Sequence, residues 1–230
     1  MKLRHRLLAA FLALAALAPG AAQAQARATE VPGFGDSSAP PRGAPFTLPA
    51  GLELAGPIVG ADDDGNCPKP RTAKVGSGLW VRACIPVRNR TGGGVTVVFP
   101  AGLVIVSASE GYQNGLLVER QVLTVPPYTV SGNKLRDKKD DDIVYIPVHT
   151  YCINKPRDPS DSRASFRLGP VASQGGLAEL YAFMADKDFK EDGIRVEALQ
   201  EVVFDIVRDG RFTAEHRAEL TKVWQAPDLQ

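Results

Sequence analysis

Ile143-Val144-Tyr145-Ile146-Pro147-Val148-His149-Thr150-Tyr151-Cys152-Ile153-Asn154 (IVYIPVHTYCIN) is the longest strand-like stretch of this 230-residue chain. Side chains alternate across a strand, so Val144, Ile146, Val148, Thr150 and Cys152 share one face, while Ile143, Tyr145, Pro147, His149, Tyr151 and Ile153 share the other. Both faces are largely apolar. The pattern predicts a central strand with a packed layer on each side.

Shorter strands precede it. Leu79, Val81, Ala83, Ile85 and Val87 alternate with Trp80, Arg82, Cys84, Pro86 and Arg88, and the run stops at Asn89. The Thr91-Gly92-Gly93-Gly94 turn leads into Val95 to Phe99 and Pro100-Ala101-Gly102 into Leu103 to Val106, and the β-prone stretches Gly115 to Glu119 and Gln121 to Val125 stop at Pro126-Pro127. Short strands at this spacing predict an antiparallel β-sandwich of immunoglobulin-like size over residues 49–168. The period changes after Gly169-Pro170. Ser173 is placed to cap a helix with the stripe Leu177, Leu180, Tyr181 and Met184. Further helices are predicted from Ile194 to Val207 and from Thr213 to Lys222, making residues 169–230 a three-helix portion packed on the sandwich. Strands followed by helices define the α+β class.

Upstream, Lys2, Arg4 and Arg6 precede an apolar stretch from Leu7 to Ala18, then Pro19-Gly20 and Ala22-Gln23-Ala24. A basic start, a short apolar middle and small residues before a cut site form a secretory signal peptide, with cleavage after Ala24 and a periplasmic or secreted product. The apolar stretch is shorter than the roughly 20 residues needed to cross a bilayer, so the product is expected not to span a membrane. Residues 25–48, rich in Pro, Gly, Ser and Ala, are expected to be a mobile, disordered lead-in. Removing the leader's three basic residues takes the formal charge from +1 to −2, with both signs well mixed. Nucleic-acid binding, which needs a clustered basic surface, is therefore not expected.

The chain has three cysteines. Cys67 lies in a polar loop and Cys84 on the outer strand face, so both are expected at the sandwich surface. In an oxidising compartment they are the preferred disulfide pair, closing a loop of roughly 17 residues worth about 3 kcal/mol in the chain-entropy model. Cys152 is then left as a free thiol. A nucleophilic cysteine needs a base. His149, three residues away on the same strand, faces the opposite side, and His216 belongs to the last helix. No zinc-ligand set or cofactor motif is present, and Asp62 to Asn66 and Asp205 to His216 each miss positions of a calcium loop.

At 100° per residue, Gln200 falls inside the apolar arc of Val196, Leu199, Val203, Phe204 and Val207. A buried side-chain amide needs partners or costs on the order of 1 to 3 kcal/mol. Tyr151-Cys152-Ile153-Asn154 and Leu199-Gln200-Glu201-Val202-Val203-Phe204 together resemble two motifs of the thioester domains of Gram-positive surface adhesins. The resemblance covers residues 145 to 207. It implies a β-plus-helix module in which Cys152 takes the thioester cysteine's place and Gln200 that of the helical glutamine, with Tyr151, Asn154 and Phe204 as supporting positions. Leu199 stands where the family has Thr, Phe204 where it has Trp, and the later glutamine motif is not completed after Trp224.

The residues point first to an exported, soluble, non-catalytic interaction or structural module acting on a protein or cell-surface ligand. Gln200 would clamp the helices to backbone near Ile153 or Asn154. A covalent thioester adhesion domain using Cys152 and Gln200 is the alternative, and a cysteine hydrolase comes third.

Overall fold

The computed structural model describes residues 31–68, 72–127, 142–189 and 192–225. The expected signal peptide at 1–24, residues 25–30, most of the charged loop at 132–142 and the last five residues lie outside the described residues. Among the described residues nine strands precede three helices: β1 Leu52–Leu54, β2 Ile58–Gly60, β3 Val81–Asn89, β4 Val95–Phe99, β5 Leu103–Ser107, β6 Gly115–Leu116, β7 Gln121–Val125, β8 Ile143–Cys152, β9 Ser165–Val171, α1 Leu177–Met184, α2 Gly193–Asp209 and α3 Ala214–Gln225. The α+β class holds, and every pairing between named strands is antiparallel.

The sandwich is corrected. Six strands close in the order β3-β2-β9-β5-β6-β8, and β8 returns to β3. This is a barrel, with β1 added on β3 and a separate β4-β7 ladder whose Val97, Phe99 and Val125 join the cluster of the barrel interior. Closure rests on the long β3–β8 ladder, in register from Val81↔Thr150 to Arg88↔Ile143. It also needs β9, which the sequence hides behind Gly169-Pro170. A Cβ at Gly169 would lie 2.5 Å from Val106 Cγ2 and 2.7 Å from the Val104 carbonyl oxygen, so only glycine lets β9 lie against β5 there. The boundary drawn at residue 168 consequently falls inside a strand.

Residues 31–48 also differ from the sequence reading. Phe34 is buried in the helix-facing cluster, Phe46 and Leu48 pack on the barrel cluster, and Ala44 bridges Val171. Few residues do this, but each is large and apolar.

The helices follow their local signals except at one cap. Ser173 does not cap α1, whose N-cap is Gly176 without a side-chain bond. There a Cβ would meet the Phe212 nitrogen at 2.2 Å, so close contact with the α2–α3 turn sets the start. Asp192 caps α2 by accepting from the Arg195 N–H at 2.8 Å, and Gly210, at φ +70°, ends it with its N–H donating to the Ile206 carbonyl. His216 N–H donates to Thr213 Oγ1 and Thr213 N–H to His216 Nδ1, a reciprocal cap for α3. No helix among the described residues is long and apolar enough to cross a membrane.

Cys67 and Cys84 are bonded, with Cα atoms 5.5 Å apart. Their surface placement is corrected: both are buried, and with Ala61 they form a third small cluster packed with Val59 and Tyr145. The loop covers the outer face of β3 that alternation alone leaves to solvent. Replacing both cysteines by alanine should lower unfolding stability by about 3 kcal/mol, more than surface substitutions do, as read from urea-denaturation midpoints.

Candidate functional site

The site lies where the end of β8 meets α2. The β3 ladder runs out at Thr150, while Gly115 of β6 still pairs with Cys152 on the other edge. The open edge needs a partner, because a buried backbone N–H or C=O without one costs free energy. Gln200 supplies it. The Cys152 N–H donates to Gln200 Oε1 at 2.8 Å, and Gln200 Nε2 donates to the Cys152 carbonyl at 3.0 Å. One side-chain amide thus pairs as a further strand residue would, with Gln200 only 3% exposed.

The neighbours of Cys152 divide between two layers. Cys152, with Ile146 and Val148, belongs to the barrel cluster, against which Phe204 of α2 packs. Tyr151 and Ile153 belong to the helix-facing cluster with Leu180, Leu199, Val203 and Leu220. Asn154 ties in a third segment. Its Oδ1 accepts from the Asn114 N–H at 2.8 Å, and its Nδ2 donates to the carbonyls of Gly33 at 3.1 Å and Gly35 at 2.9 Å. Phe34, between those glycines, is thereby held in the core.

Cys152 is free, 1% exposed, and its thiol is pushed up by burial, so it is held as the neutral thiol. Neither histidine among the described residues stands beside it: His149 Nε2 is 3.2 Å from the Gly65 carbonyl, and His216 Nε2 lies 3.5 Å from Asp205. Among the described residues no group of three metal-ligating side chains converges.

Tyr151 exposes a second polar feature that alternation could not reveal. Its hydroxyl lies 2.8 Å from Ser77 Oγ, and burial, followed by the nearby Glu119 carboxylate, pushes the phenol up. Glu119 is 4% exposed, and neither carboxyl oxygen has a geometric hydrogen-bond partner. Burial pushes that carboxyl above its ordinary value, with the Ser77 hydroxyl acting in the opposite sense.

Outside this cluster, a cleft of about 400 Å³ opens at the seam. Cys152, Gln200, Glu201 and Phe204 border it, with Trp80 and Pro159 on the barrel side. Cys152, Gln200 and Phe204, named from sequence, thus converge; Tyr151 and Asn154 serve the layers beneath, and Cys67 and Cys84 form their own cluster. Ser77, Gln113 and Asn114 sit near glycines in segments whose polar residues resemble ordinary turns, and Glu119 closes a predicted strand with no acid/base partner legible in the sequence.

Compared with protein-family models, curated proteins and solved structures, the chain matches none.

Glu119 gives a pH test. Its folded pKa is raised above the unfolded value near 4.5, so the stability tied to its neutral form is complete below that pH and is lost as pH rises toward the folded pKa. Glu119→Gln should therefore match the parent protein at pH 4 and exceed it at pH 7. The gap should widen by up to about 1.4 kcal/mol per pH unit within that window in urea unfolding.

Proposed function

We propose that the protein is an exported, non-catalytic interaction module that presents the barrel–helix cleft to a protein or cell-surface ligand in the periplasm or outside the cell. The observation that carries this is the two-point pairing of the Gln200 carboxamide with the Cys152 backbone. Both heteroatoms of the amide are engaged with peptide groups, so the amide acts as a clamp that fixes one wall of the cleft against the other. A rigid wall lowers the ordering cost of binding. Export is supported by the leader pattern and by the Cys67–Cys84 bond. A cysteine hydrolase has no comparable support, because burial favours the neutral Cys152 thiol and neither histidine among the described residues adjoins it.

A covalent role is the second reading, favoured by one observation: Cys152 and Gln200, 48 residues apart, meet and border the same cleft. In that chemistry the Cys152 sulfur would attack the Gln200 carboxamide carbon and ammonia would leave. An amine on the ligand would then attack the acyl carbon, forming an amide and returning the thiol.

Intact mass separates the two. The clamp leaves the mature chain at its sequence mass less the two hydrogens of one disulfide, with one thiol alkylated after denaturation. A further loss of about 17 Da, converted by methylamine into a gain of about 14 Da over the unmodified mass as the N-methylamide forms and the thiol returns, would overturn the clamp in favour of the thioester. Gln200→Leu should leave two buried backbone groups unpaired and cost about 2–4 kcal/mol, lowering the melting temperature by about 5–15 °C. An unchanged melting curve would count against the clamp.

A further inference from the structure

We infer that the seam cleft takes the guanidinium of an arginine side chain projecting from a protein partner, held without a covalent bond. This deepens the recognition role proposed above and rests on it for the cleft being the binding face.

Apart from Lys155, the groups that carry the cleft's chemistry are chiefly acceptors and aromatic faces. Gln113, which borders the cleft, is only 5% exposed; its Nε2 donates to the Arg157 carbonyl at 2.8 Å, while its Oε1 has no partner. A buried carbonyl oxygen in that condition lacks a donor. Glu197 and Glu201, one helical turn apart on α2, are exposed on the same cleft. Trp80, 42% exposed, and Phe204 supply ring surface. The chain itself shows what such a wall accepts: Lys155 Nζ stands 5.0 Å from the centre of the Phe204 ring and 3.6 Å from Glu201 Oε2. That side chain is 69% exposed, a loosely held internal cation that a ligand can displace.

The complement of acceptors and π faces is a group that carries only donors and positive charge. Guanidinium suits it better than ammonium. It is planar and stacks on rings, it is more weakly hydrated, and its fork of five donors can serve two carboxylates together.

The test is an NMR titration of the mature protein with a Gly-Arg-Gly peptide capped at both ends, following the Trp80 indole N–H. The Trp224 indole, which donates to the Asp188 carbonyl, serves as reference. Capped peptides with lysine or neutral citrulline in place of arginine are the comparators. The arginine peptide should give a saturable Trp80 shift with a Kd of roughly millimolar order, as expected of a single side chain. Citrulline should bind at least about tenfold more weakly, and lysine measurably more weakly than arginine. Glu197→Gln with Glu201→Gln should weaken arginine binding at least about fivefold, and Lys155→Met should tighten it by removing the internal competitor. Equal shifts with citrulline, lysine binding as tight as arginine, no saturation by about 50 mM, or unchanged binding in the double variant would each overturn the inference. Any of these with an unmodified intact mass removes only the ligand class. Loss of ammonia from the intact chain would instead remove the non-covalent recognition role.

Discussion

One amide-to-peptide pairing joins the two halves of this protein. At the end of β8 the backbone of Cys152 has lost its β3 neighbour, and the Gln200 carboxamide meets its N–H and C=O at 2.8 and 3.0 Å. Hydrophobic contact between sheet and helices is non-directional and tolerates sliding. A two-point hydrogen bond between buried groups does not, because any shift of α2 along β8 leaves both strand atoms unpaired at once. The apolar contacts of Tyr151 and Ile153 with α1, α2 and α3 supply attraction, and Gln200 supplies register.

The same strand closes the barrel. β8 pairs with β3 from Ile143 to Thr150 and with β6 at its far end, so its residues belong to three environments in turn. Near its start, Tyr145 packs on the cluster of the Cys67–Cys84 bridge; in the middle, Ile146 and Val148 fill the barrel; at the end, Tyr151 and Ile153 face helices. This explains a strand apolar on both faces, which a two-layer sandwich open to solvent does not require. Just past it, Asn154 reaches Gly33 and Gly35, so the segment before the first strand is anchored by the residue after the longest one.

Local pattern carried a good part of this into view. β8 is legible because a long run of β-branched and aromatic side chains, apolar on both faces, is hard to mimic, and Gln200 stood out because a polar side chain within an apolar arc has few explanations. The Cys67–Cys84 pair followed from compartment and elimination, although its burial did not, since the loop that covers Cys84 has no periodicity to read. Closure of the barrel was not legible. Alternation gives the faces of a strand and not its neighbours, and whether β8 pairs with β3 is decided by non-local contacts. β9 was masked because Gly169-Pro170, ordinarily a turn, serves here as a point of close approach to β5. The packed segment from 31 to 48 failed the compositional test for order, since its few large apolar residues are diluted by Gly and Pro, yet Phe34 sits in the core at 2% exposure. Glu119 and Ser77 gave no signal, as a buried carboxyl and an exposed one are written with the same letter.

The free thiol of Cys152 finds its reason in the same place. Its side chain points to the barrel cluster while its backbone is held by Gln200, and Phe204 packs against that cluster from α2. A larger residue would push Phe204 and α2 outward and lengthen the two hydrogen bonds. Serine, of similar size, would bring a hydroxyl into an apolar cluster and need a partner of its own. Alanine would leave a void beside the clamp, losing dispersion contacts on both layers. Cysteine satisfies all three demands, being small, apolar in behaviour and protonated under burial. Packing thus accounts for an unpaired cysteine without assigning it any reaction. In the proposed recognition role, with the sulfur and the carboxamide both committed to structure, the groups left for a ligand are those of the rim, Glu197, Glu201, Trp80 and Phe204.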